Sequence, residues 1–174
     1  MSDTPAPPDD GALDREVLAF LQDAFEHVRN GDAAQLRQML ERGLPPNIRN
    51  SQGDSLLMLA SYHGHHAAAR TLLEAGADRE LRNDRGQSPL EAAAFKGDQA
   101  MAELLLEFGA DPNARSAAGK TPLMMAAMFG RTGIVEVLLE RGADPAARDE
   151  GGMSALDAAR LMGAASTAAQ LEAL

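Results

Sequence analysis

From about residue 14 onward the chain alternates short apolar stripes with polar loops, and the stripes have helical spacing rather than the two-residue period of a strand. Val17, Leu18, Leu21, Ala24, Phe25 and Val28 recur on one face and predict an amphipathic helix from about Asp14 to Val28. Further along, the column Leu57, Leu90, Leu123, Leu156 and the column Ala60, Ala93, Ala126, Ala159 mark a short first helix that returns four times. Its alanines allow neighbouring helices to approach closely. A second helix carries the pairs Leu72–Leu73, Leu105–Leu106 and Leu138–Leu139, with Met39–Leu40 in the equivalent place.

The punctuation between the stripes keeps the same period. Gly31, Gly64, Gly97, Gly130 and Gly163 stand 33 residues apart, as do Gly43, Gly76, Gly109 and Gly142, and again Gly53, Gly86, Gly119 and Gly152. Self-similarity at such a period marks a stack of repeats, each burying its apolar face on the next. Ser55, Ser88, Thr121 and Ser154 precede the first helices and suit a capping role, since a side-chain oxygen there accepts an orphan backbone N–H bond. Pro89 and Pro122 follow two of them, at the one helical position where a missing N–H costs nothing. Ser88 and Glu91 have capping-box spacing. The first helices are expected to end near Gly64, Gly97, Gly130 and Gly163 at positive φ, and the second helices at Gly76, Gly109 and Gly142.

The two ends read as caps. The long N-terminal helix covers one end of the stack. At the other end, Gln170 and Glu172 replace the apolar residues of earlier repeats, which suits a solvent-facing terminal unit. Residues 1–12, acidic and rich in proline, are expected to form a disordered tail. The expected division is an N-terminal capping repeat over 13–53, full repeats over 54–86, 87–119 and 120–152, and a C-terminal cap over 153–174.

Gln87-Ser88-Pro89-Leu90 through Asp111-Pro112-Asn113, and Lys120-Thr121-Pro122-Leu123 followed by Ala126-Ala127, Gly130, Val135–Leu139 and Gly142-Ala143-Asp144-Pro145, closely resemble the ankyrin-repeat family. The resemblance covers about residues 23–174 and implies an all-α solenoid of helix–turn–helix units with β-turn loop fingers. One column departs from it. The family usually has His after Thr-Pro-Leu, where this chain has Met58, Glu91, Met124 and Asp157. That His ordinarily helps tie adjacent repeats, so the departure touches those bonds and not the fold.

Composition narrows the picture. Hydrophobic residues are 45% of the 174 but aromatics only 3%, with no Trp, so the core must be built from Leu, Ala, Met and Val. A chain of this length suits one domain that buries roughly two-thirds of its unfolded surface. The absence of Cys excludes disulfides, thiolate metal sites and cysteine nucleophiles together. A net charge of −10 argues against non-specific nucleic-acid binding and against anionic membranes. No apolar run approaches the ~20 residues needed to span a bilayer. The N-terminus lacks the basic start and apolar segment of a secretory signal. A cytoplasmic monomer is expected.

Candidate chemistry is sparse. His63, His65 and His66 form His-Gly-His-His, imaginable as a metal site, yet Gly64–His65 matches the family's Gly-His turn, where His has a local structural role. No nucleophile elbow, phosphate loop or His-Glu-x-x-His motif occurs, and no nucleophile, base and charge stabiliser converge. Neither enzymatic activity nor a cofactor is expected.

The resemblance implies instead a concave binding face lined by the fingers 49–54, 82–87, 115–120 and 148–153 and by the ends of the first helices. Carried onto this chain, it nominates Arg49, Arg82, Arg85, Arg115 and Arg148 on the fingers, and Tyr62, His63, Phe95, Lys96, Met128, Phe129 and Met162 on the helix ends. The arginine column either pairs locally with acids such as Asp84 or Asp149, or grips an anionic partner through bidentate bonds. The apolar column either covers helix ends or anchors a partner. The expectation is an apolar groove flanked by an arginine ladder, for a protein segment carrying hydrophobic and acidic residues. The chain's style resembles short bacterial ankyrin proteins. Other readings are a secreted effector or inhibitor of a target enzyme, and a small-molecule or metal binder at His63, His65 and His66.

Overall fold

A computed structural model describes residues 10–174, with side chains from Asp14 onward. The described residues form ten α-helices: α1 (Asp10–Asn30), α2 (Ala33–Glu41), α3 (Leu56–His63), α4 (His66–Glu74), α5 (Pro89–Lys96), α6 (Gln99–Glu107), α7 (Pro122–Met128), α8 (Thr132–Glu140), α9 (Ala155–Leu161) and α10 (Ala165–Glu172). Odd-numbered helices pack in sequence into one layer and even-numbered helices into a second, while each odd helix also packs on the even helix that follows it. Two layers of short helices with loops projecting beyond them make an all-α solenoid.

Local chemistry fixes each start. The hydroxyls of Ser55, Ser88, Thr121 and Ser154 accept from the backbone N–H groups of Met58, Glu91, Met124 and Asp157 at 3.1–3.3 Å. Glu91 returns the favour by accepting from Ser88 N at 3.1 Å, completing the expected capping box. Ser154 and Asp157 form a second box with the shorter acid, outside the Glu/Gln pattern by which such boxes are read from sequence. Every glycine of the three columns has positive φ. At Gly31 space demands glycine as well, because a Cβ would stand 2.7 Å from Nδ1 of His65 in the next repeat. At Gly97 it would stand 2.9 Å from the guanidinium of Arg131.

The core follows the predicted columns. Leu57, Leu90 and Leu123, the four column alanines, and Leu72, Leu105 and Leu138 are all buried, and Leu156 packs against them partly covered. At the C-terminal cap Leu171 and Ala168 face inward, while Gln170 donates to the Thr132 carbonyl at 3.2 Å and Glu172 pairs with Arg160 at 2.7 Å.

The N-terminal cap differs from the sequence reading in two respects. Helix α1 begins at Asp10, so it takes in residues 10–12 of the expected tail, and residues 1–9 lie outside the described residues. Ala24 and Val28 are buried and Phe20, Leu21 and Phe25 pack beside them, but Val17 and Leu18 are 51% and 57% exposed. The reason is length. Twenty-one residues of α1 lie against partners of nine and eight, α2 and α3, so its first turns project past the stack.

Side-chain bonds between repeats recur at one position. Asn47 Oδ1 accepts from Asp78 N at 2.7 Å, Glu80 Oε1 from Asp111 N at 2.8 Å, and Asn113 Oδ1 from Asp144 N at 2.8 Å, one column used three times. Glu80 alone carries charge there, and burial pushes its carboxyl above the usual range. No helix among the described residues is long and apolar enough to cross a membrane.

Candidate partner-binding face

Each finger is folded by the residue that follows its arginine. Asn50 Oδ1 accepts from Gln52 N and Asp54 N, and Asn83 Oδ1 accepts from Arg85 N and Gln87 N, at 2.9–3.1 Å. Ser116 Oγ and Asp149 Oδ1 accept from Lys120 N and Met153 N in the third and fourth fingers. This column of short polar side chains, which mimic backbone acceptors in turns, was not singled out from the sequence, although Asn, Asn, Ser and Asp at one interval are its signal. The first two fingers are also joined side by side, Asn83 Nδ2 donating to buried Asp54 Oδ1 at 2.8 Å.

The arginine column is committed within the molecule, in two alternating ways. Arg82 donates to Gly86 O at 2.7 Å and to Glu91 Oε2 at 2.8 Å, and Arg148 donates to Gly152 O at 2.7 Å and to Asp157 Oδ2 at 3.3 Å. Arg49 also bonds its own finger, at Gly53 O and 2.9 Å, but Arg49 and Arg115 both reach across, donating to the main-chain carbonyls of Arg82 and Arg148 in the next finger. The alternation follows the column after the cap. Where it holds an acid, Glu91 or Asp157, arginine pairs with that carboxylate; where it holds Met58 or Met124, a guanidinium N–H goes to the neighbouring finger. Backbone hydrogen bonding at Ser154 holds the Asp157 carboxyl below the usual range, assisted by the Ser154 hydroxyl and Arg148. Of the local acids expected, Asp84 lies 3.5 Å from Arg49.

The apolar column is open along much of its length. Tyr62 is 41% exposed, Phe95 36% and Met162 52%, with exposed Leu161 beside Met162. Met128 and Phe129 are half-buried, and Phe129 meets Phe95 edge-on with ring centroids 4.9 Å apart. Lys96 lies 4.7 Å above the Tyr62 ring. Beside this strip a cleft of about 300 Å³ runs between the first two fingers and α3, lined among others by Arg29, Met58, Tyr62, His63 and Arg85. Burial lowers the pKa of His63, and the charges of His65, Lys96 and Arg29 add to the effect.

The other two histidines serve the stack. His65 Nε2 donates to the Arg29 carbonyl at 2.8 Å, a bond made again by Arg131 to the Phe95 carbonyl at 3.1 Å. His66 Nε2 bonds the Asp98 carboxylate at 2.8 Å. Among the described residues, no group of three or more His, Asp or Glu is arranged to hold a metal ion.

These features match known repeats. Residues 24–116 match the family described as ankyrin repeats (3 copies), more than half of the chain, and residues 105–159 match ankyrin repeats (many copies). The chain belongs to the ankyrin-repeat family. Ankyrin repeats are generally protein–protein interaction modules without catalytic activity. A protein of Pseudomonas aeruginosa named as an ankyrin repeat protein is 52% identical over 65 residues. That stretch is 37% of this ankyrin chain and 36% of the relative's length. The bacterial relative agrees with the resemblance to short bacterial ankyrin proteins.

Proposed function

We propose that this chain is a non-catalytic docking module whose finger and first-helix face binds a partner protein through a segment rich in hydrophobic and acidic residues. The observation that carries the reading is the open apolar strip of Tyr62, Phe95, Leu161 and Met162 along the ends of the first helices. Exposed aromatic and Met side chains beside charges are the usual make-up of interaction surfaces. The charge pattern agrees. The chain carries −10 overall, yet both of its lysines, Lys96 and Lys120, lie on this side with Arg29, His63 and Arg85. These two lysines, rather than the internally bonded arginine column, supply the attraction for an acidic segment.

A partner isolated on the immobilised full chain from the native host provides the test. Phe95→Ala with Phe129→Ala is expected to weaken its binding by at least about tenfold, equivalent to about 1.4 kcal/mol, while circular dichroism stays unchanged. Lys96→Glu with Lys120→Glu is expected to slow association and to reduce its salt dependence. Undiminished binding by both variants would refute this choice of face.

A further inference from the structure

The fingers 82–87 and 115–120 enclose a slot of about 380 Å³. Gly86, Ala117, Ala118 and Met125 supply its apolar walls, and Arg85 and Lys120 lie on it with Glu91. Glu91 is 3% exposed, and its two oxygens are treated unequally. Oε2 accepts from Arg82 Nη1 at 2.8 Å and from Ser88 N at 3.1 Å, whereas buried Oε1 has no hydrogen-bond partner. A buried acceptor left unsatisfied costs free energy that a bound donor would recover.

We propose that this slot receives a tryptophan or tyrosine side chain of the partner, its N–H or O–H donating to Glu91 Oε1. The inference rests on the docking face argued above. Three features select that occupant. Small apolar walls and a methionine suit a flat ring, and sulfur makes favourable contacts with aromatic edges. The unsatisfied acceptor suits an aromatic with a polar tip, which seeks a bond when buried. A cation is disfavoured, because Arg82 already matches the carboxylate and Arg85 and Lys120 stand beside the slot. Those two cations suit an acidic residue next to the aromatic one.

Among the described residues, a slot between two fingers has an acid at this position once. The equivalent position holds Met58 behind the first two fingers and Met124 behind the last two, and neither offers an acceptor of this kind. Among the described residues no finger packs beyond Asp157, the other acid of that column. Glu91 thus makes this slot unlike the cleft at Met58. Aromatic anchors in such pockets commonly dominate binding energy.

Indole and benzofuran distinguish the idea, since they share a shape and only indole has an N–H. Titrated into the full-length ¹⁵N-labelled chain, indole is expected to shift the amide signals of Gln87, Glu91, Lys120 and Met125, and to bind at least about tenfold more tightly than benzofuran. Glu91→Gln retains the cap and the Arg82 bond through its carbonyl oxygen and so turns an amide NH₂ toward the position of Oε1. The indole preference is then expected to vanish while the melting curve shows a folded chain. Equal binding of the two probes, a preference surviving in Glu91→Gln, or tighter binding of benzylammonium than of indole would overturn the assignment. If the partner still requires Phe95 and Phe129 in that case, the docking face stands and the slot alone falls.

Discussion

His63 carries information about its surroundings that its neighbours in sequence do not. Its pKa is lowered by burial first, and then by His65, Lys96 and Arg29. A histidine whose folded pKa lies below its unfolded value binds fewer protons when folded, so its contribution to stability is present above the ordinary value of about 6.5 and lost as pH falls through the depressed value. An imidazole titration followed by NMR is expected to give a midpoint for His63 below that ordinary value. Lys96→Met should move it upward, and an acidic partner segment should move it further. A midpoint unmoved by Lys96→Met would argue against a cationic field at this end of the cleft. The pattern of the sequence announced the histidine cluster but not its division of labour. His65 and His66 find partners 36 and 32 residues away, at Arg29 and Asp98, and only the stacking of repeats brings those groups within reach.

Helices and fingers show the same contrast between local and relayed information. Caps, proline starts and glycine turns act within a few residues, so Ser88, Pro89, Glu91 and Gly97 could be read directly from their spacing. Arginine bonding could not, because Arg49 and Arg82 both precede Asn in their loops, and whether each meets a carboxylate of its own repeat is set at positions 58 and 91, outside those loops. That difference has a measurable consequence. Arg82→Met leaves the buried Glu91 carboxylate without its cation and is expected to cost on the order of 3 kcal/mol. Arg115→Met removes an exposed bond to the Arg148 carbonyl and should cost about 1 kcal/mol. Urea unfolding of the two variants checks the order, and equal losses would mean that the alternation has no energetic content. Helix α1 illustrates the complementary limit. Its apolar face was legible from Val17 to Val28, but periodicity reports which residues share a face and not how far the neighbouring helices extend, so Val17 and Leu18 remain open.

Across the molecule, stability is distributed through interfaces between repeats rather than held in one centre. Leu105 is fully buried in α6, which packs against both α4 and α8. Leu105→Ala is expected to cost roughly 2–5 kcal/mol, and hydrogen exchange should show faster opening in α4 and α8 as well as α6. Loss confined to α6 would contradict a stack held by nearest-neighbour contacts. The buried columns specify this architecture and are indifferent to what it binds. On the proposed docking face, the positions that differ between repeats would carry the recognition: Glu91 against Met58 and Met124, Phe95 and Tyr62 in the open strip, and Lys96 and Lys120 against an acidic background. The most direct measurement is amide hydrogen exchange on the full chain with and without its isolated partner. Protection is expected in fingers 82–87 and 115–120 and at the ends of α3, α5 and α7. Protection confined to α4, α6 and α8 would contradict the account.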